Sequence, residues 1–144
     1  MLHVLLHMAR RDAPLTSETI GEMLGANPVV VRRTLAGLRD AGLVRSEKGH
    51  GGGWRLVRDL SEVSLYDLHE ALGGPALFAI GNAAENPRCL VERAVNAALD
   101  ASLQEAEALL LARFRSITLA ELAADFEGRL RALGMSEKET LHDA

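Results

Sequence analysis

Lys48-Gly49-His50-Gly51-Gly52-Gly53-Trp54-Arg55-Leu56 decides how the rest of the chain is read. A glycine-rich turn lies between two short apolar runs, Leu43-Val44 and Trp54-Arg55-Leu56-Val57, which is the pattern of a β-hairpin. Two helical patterns precede it. Thr16 or Ser17 caps the first, which reaches about Leu24, with Glu18 and Glu22 early in it and Ile20, Met23 and Leu24 toward the core. Gly25-Ala26 makes the turn. Asn27 caps the second helix, and Pro28 takes its first position, where no backbone donor is needed. That helix runs from Pro28 to Asp40, buries Val31, Leu35 and Leu38, and stops at Ala41-Gly42. Helix, turn, helix and glycine-tipped hairpin form the layout of a winged helix-turn-helix, which makes nucleic acid the first partner to test.

Outward from this centre, Leu2, Leu5, Leu6 and Ala9 share one face of an opening helix that ends at Asp12-Ala13-Pro14. That helix begins in mid-pattern without a cap, and the expectation is that it is longer in relatives. Downstream, Ser64 caps a short helix from Leu65 to about Leu72, closed by Gly73-Gly74-Pro75. Residues 75–88 are irregular. A long helix then runs from about Leu90 to Phe114. Its apolar stripe includes Val91, Val95, Leu99, Ser102, Leu103, Ala106 and Leu110. One helix beside a small domain cannot cover such a stripe, so a partner helix from a second chain is expected there. Thr118-Leu119-Ala120-Glu121-Leu122 adds one or two turns. The expected fold class is mainly α with a small β wing. Residues 1–74 form the winged helix-turn-helix, 75–123 the linker and dimerisation helix, and 124–144 a polar C-terminal tail.

Composition narrows the function classes. Hydrophobic residues make up 48% of 144, enough for one compact core, but aromatics are only 3%, so that core is aliphatic. Charge is divided. Residues 1–60 carry nine Lys/Arg against six Asp/Glu, and residues 61–144 seven against fourteen, so the net −4 splits into +3 and −7. The mildly basic first half suits a polyanion, with specific docking added to bulk attraction. One cysteine, Cys89, excludes an internal disulfide and any site built from several cysteines of one chain. The opening apolar run is too short for a membrane span and has no basic lead, so a cytoplasmic protein is expected.

In a helix-turn-helix the second helix presents its N-terminal residues to the major groove. Here these are Asn27, Pro28, Val29, Val30, Arg32 and Arg33. Valines exposed at a helix start fit thymine methyls, and arginine fits guanine or phosphate. Thr16 and Ser17 at the first helix, and Lys48, His50, Gly51 and Gly52 at the wing, complete the expected DNA contacts. Gly51 to Gly53 let the wing turn sharply and approach phosphates. Trp54 reads as a core anchor beneath the wing, and Arg55 and Arg58 as phosphate contacts or a solvated face. His50-Gly51-Gly52-Gly53-Trp54 resembles an esterase oxyanion loop, but no nucleophile elbow accompanies it, and no P-loop lysine follows. His3 and His7 stand four apart without a nearby third ligand, which favours a surface or core pair over a metal site. No catalytic constellation is legible, and a non-enzyme is expected.

These residues together resemble the Rrf2 family of bacterial transcription regulators, which includes IscR, NsrR and CymR. The resemblance rests on Thr19–Leu24, Asn27–Leu35, Leu38–Val44 and Lys48–Leu56, with Ser64–Leu68 and Ile117–Leu122 matching later signatures. The Asn27–Arg33 stretch looks like the YwnA-like branch. The resemblance implies a homodimeric winged-helix DNA binder whose long helix crosses its mate, and a homodimeric repressor on double-stranded DNA. Cluster-binding members carry three cysteines before the dimer helix, whereas this chain has Cys89 alone, so no cofactor is expected. Cys89, beside Arg88 at a helix start, is a candidate redox sensor. The alternative is a protein-interaction or small-ligand module that keeps the fold without useful DNA binding.

Overall fold

The computed structural model describes residues 1–49, 51–78 and 89–134. Helix α1 spans Leu2–Ala9, α2 Ser17–Leu24, α3 Pro28–Asp40, α4 Leu65–Ala71, α5 Leu90–Arg115 and α6 Leu119–Leu133. Strands β1 (Val44–Glu47) and β2 (Gly53–Leu56) follow α3, and a 3-10 turn occupies Leu60–Glu62. The structure is mainly helical with a two-stranded antiparallel wing, as the sequence pattern indicated.

Local chemistry sets the boundaries of α2 and α3. Thr16 Oγ1 accepts from the Thr19 amide at 3.1 Å, and Asn27 Oδ1 accepts from the Val29 amide at 2.8 Å. Each cap satisfies an amide that the first helical turn leaves without a carbonyl. Pro28 stands at the start of α3, and Gly25 ends α2 at φ 59°. Ile20, Val31, Leu35 and Leu38 are buried and pack with Val4, Leu5, Leu43, Val44 and Trp54 in one aliphatic core.

The wing pairs Val44 with Leu56 and Glu47 with Gly53. A third segment joins it that the sequence pattern does not announce. Leu15 exchanges both backbone hydrogen bonds with Trp54, at 3.0 and 2.8 Å. Gly53 makes this possible, because a Cβ there would stand 2.6 Å from the Leu15 carbonyl oxygen. Gly53 therefore serves close backbone packing inside the protein.

Three expectations are corrected. The buried stripe of α1 is Val4, Leu5 and Met8 with His7; Ala9 is exposed and Leu6 only half-buried. The helix is rotated because α6 packs beside it: His7 meets the Phe126 ring at 6.3 Å between centroids, and Arg10 pairs with Glu127 at 3.1 Å. Second, α6 is fifteen residues long rather than one or two turns. Third, residues 124–133, expected in a polar tail, belong to that helix. Leu119 and Leu130 anchor it in apolar contact, and a capping box between Thr118 and Glu121 starts it. Leu119, Leu122, Phe126, Leu130 and Leu133 recur at three- and four-residue steps, the spacing of one helical face. Residues 135–144 lie outside those described.

A short bridge between Ser64 and Thr118 returns the chain from α5 to the winged domain, with Leu65 N donating to Ile117 O and Leu119 N to Val63 O. Helix α5 has no buried residue over its 26-residue length. Leu90, Val91, Val95, Leu99 and Leu109 are all exposed. Its C-terminal end is held to α4, where the Arg115 guanidinium lies 3.7 Å from the Tyr66 ring centroid.

Candidate nucleic-acid interface

Successive residues of α3 turn by about 100°. Burying Val31, Leu35 and Leu38 therefore turns Val29, Arg33 and Ala36 to the opposite side. Val29 is 66% exposed and Val30 47%. Two apolar side chains left in water at a helix start are the least expected feature of this surface. Arg33 is exposed, and among the described residues no ion pair holds it. Arg32 projects sideways toward α2, where its Nη2 donates to Glu18 Oε1. Asn27 spends its carbonyl oxygen on the cap, which leaves its amide N–H groups as donors. Pro28 is half-buried at the helix start.

Thr16 is exposed at the N-cap of α2, its hydroxyl 3.1 Å from that of Thr19. Ser17 differs from expectation. It is 5% exposed, and its Oγ accepts from Trp54 Nε1 at 3.0 Å. It anchors the wing rather than facing solvent. Trp54 is the core anchor its sequence context suggests, 9% exposed.

Lys48 and Gly51 are exposed at the wing, and Gly52 is half-buried. Gly49 and Gly51 both take positive φ, at 99° and 82°. His50 lies outside the described residues. At the wing's base, Glu47 Oε1 accepts from Arg45 Nη2 at 2.9 Å and from Arg55 Nε at 3.2 Å. The hydrogen bond from Arg45, assisted by the charges of both guanidiniums, holds the Glu47 carboxyl below its usual range. Arg55 is thus engaged within the protein. Arg58 is also engaged, donating to the Glu62 carbonyl at 3.0 Å and bracing the 3-10 turn. In the sequence Glu18 is a helix-start acid; its partner Arg32 stands fourteen residues away, and only the packing of α2 on α3 brings them together.

Along α5, Val91, Val95, Leu99, Ser102 and Ala106 are exposed, while Leu103 and Leu110 are half-buried. Ser102 folds its hydroxyl onto the Ala98 carbonyl at 2.9 Å. Cys89 is the exposed N-cap residue of this helix. The amides of Glu92 and then Val91 favour its thiolate and lower its pKa, although no side-chain cap hydrogen bond closes. The neighbouring Arg88 lies outside the described residues, so the observed cause is the helix start itself.

The sequence profile of the Rrf2 family, described as an iron-dependent transcriptional regulator, matches residues 1–125. YwgB of Bacillus subtilis is 37% identical over 73 residues, about half of each chain. YwnA of the same organism is 31% identical over 104 residues, 72% of this chain and 77% of its own. A crystal structure from Lactobacillus plantarum shares the fold with a TM-score of 0.72 at 24% identity, covering 92% of this chain and 91% of that one. The chain has one cysteine, and no group of three or more His, Cys, Asp or Glu side chains converges among the described residues. No described helix is long and apolar enough to cross a membrane. The winged helix-turn-helix, the long helix behind it and the matching profile together place this chain in the Rrf2 family of transcriptional regulators.

Proposed function

We propose that the protein is a sequence-specific DNA-binding regulator, a homodimeric cytoplasmic repressor that sets α3 of each protomer into the major groove of a near-palindromic operator. The observation that carries this reading is the exposed Val29-Val30 pair beside Arg32 and Arg33 at the start of α3. Base methyls give the valines an apolar partner, and the guanidiniums supply donors for guanine edges or phosphates. Lys48 and Gly51 at the wing, Thr16 at α2 and Asn27 at α3 add backbone contacts. The exposed apolar face of α5 supports a two-fold partner helix, which spaces the two reading helices about one DNA turn apart, ~34–36 Å. The test is binding to the promoter of the protein's own gene at increasing salt. A specific complex weakens steeply as salt rises, because phosphate contacts release counterions. Equal, weak binding to every duplex favours the interaction-module reading instead.

Cys89 supports a second layer, control by thiol oxidation. It is exposed, carries a lowered pKa and opens the helix assigned to dimerisation. Peroxide is expected to change operator affinity of the native chain and to leave Cys89→Ser unaffected. Identical peroxide responses in the two proteins remove the thiol from the account.

A further inference from the structure

The Glu18–Arg32 pair is unexplained by stability. Glu18 lies in the first turn of α2 and Arg32 one turn into α3, and their side chains are 58% and 55% exposed. An ion pair so open to water contributes little to folding. Yet it stands on the surface assigned above to DNA, where a carboxylate is repelled by every phosphate nearby. The same surface carries Arg33 without a paired acid among the described residues. A protein selected only to bind polyanions strongly gains by having no acid at this place.

We infer that Glu18 is a specificity-determining positioning residue. This inference rests on the DNA-binding reading of α3. Two effects follow from the geometry. Glu18 occupies one N–H of the Arg32 fork and fixes the plane of the guanidinium, so that its remaining donors meet base edges in one orientation. It also cancels one positive charge that any phosphate backbone would otherwise attract, which lowers affinity for unrelated sequence. Loss of the carboxylate frees Arg32 to swing to the nearest phosphate, a contact that positions but does not read.

The experiment uses the full chain and two duplexes of equal length: the sequence that the native protein enriches from a random pool, and a scrambled version of it. Fluorescence anisotropy at two salt concentrations gives affinity and salt slope for native protein, Glu18→Gln, Arg32→Ala and the double variant. Glu18→Gln is expected to bind the scrambled duplex several-fold more tightly, with a salt slope steeper by up to about one unit. Its ratio of specific to scrambled affinity is expected to fall about tenfold, in line with loss of an oriented arginine contact. In the Arg32→Ala background the same change is expected to have a much smaller effect on the ratio, because the residue acts through Arg32. Melting curves of native protein and Glu18→Gln are expected to overlay, which separates positioning from folding. A native protein that discriminates while Glu18→Gln keeps the full ratio overturns the role of Glu18 and leaves the DNA-binding reading standing. A native protein that enriches no sequence removes both.

Discussion

Trp54 Nε1 donates to Ser17 Oγ at 3.0 Å, tying the second strand of the wing to the first turn of α2 in a buried contact. The wing and the helix pair are therefore joined through a buried polar contact. The two backbone hydrogen bonds between Leu15 and Trp54 reinforce the same joint. Removing the hydroxyl strands a buried indole N–H. Ser17→Ala is expected to cost about 1–3 kcal/mol in denaturant unfolding. Trp54→Phe, which removes the donor and keeps most of the ring, is expected to cost less than Trp54→Ala, where a cavity brings the loss to about 3–5 kcal/mol. Equal stability of Ser17→Ala and native protein refutes the joint.

Asp67 closes the capping box of α4. Its Oδ2 accepts from the Ser64 amide at 2.8 Å and from the Ser64 hydroxyl at 2.6 Å. The hydroxyl bond first, then the amide bond, holds the carboxyl below its usual range. A depressed folded-state pKa favours folding wherever the unfolded group is already ionised, above about pH 3.9, and that contribution is lost as pH falls through the folded value. Thermal midpoints of native protein and Asp67→Asn are expected to differ at neutral pH and to converge below about pH 4. A gap that stays constant to pH 3 contradicts this origin.

Leu99 stands 52% exposed on α5, in line with Val91 and Val95. A glutamate at this position touches no core residue, so the winged domain is expected to keep its fold and its near-ultraviolet spectrum. Sedimentation is expected to show Leu99→Glu shifting from dimer to monomer at micromolar concentration, with operator affinity falling in parallel. A dimer that survives the charge moves the partner surface away from this face.

Much of this was legible in residue order because caps and punctuation are local. Thr16, Asn27-Pro28, Ala41-Gly42 and Ser64 announce helix ends within a few residues, and the structure places α2, α3 and α4 where these residues set them. The wing was equally readable from its glycines. What escaped depends on distant chain. The rotation of α1 depends on α6, more than a hundred residues later, and the burial of Ser17 depends on Trp54. Ser17 and Thr16 look equivalent as polar residues at a helix start, yet one faces water and its neighbour faces an indole. The engagement of Arg55 by Glu47 and of Arg58 by the Glu62 carbonyl likewise follows from how the hairpin and the 3-10 turn fold back.

Selection of bound duplexes from a random pool, run in parallel with native protein and the Arg32→Ala/Arg33→Ala variant, tests α3 as the reader most directly. Native protein is expected to enrich a near-palindromic sequence with half-sites about one helical turn apart. The double variant is expected to bind that sequence at least several-fold more weakly and to lose its base preference within the half-sites. Enrichment of the same sequence, with undiminished affinity, by the double variant would contradict α3 as the reading element.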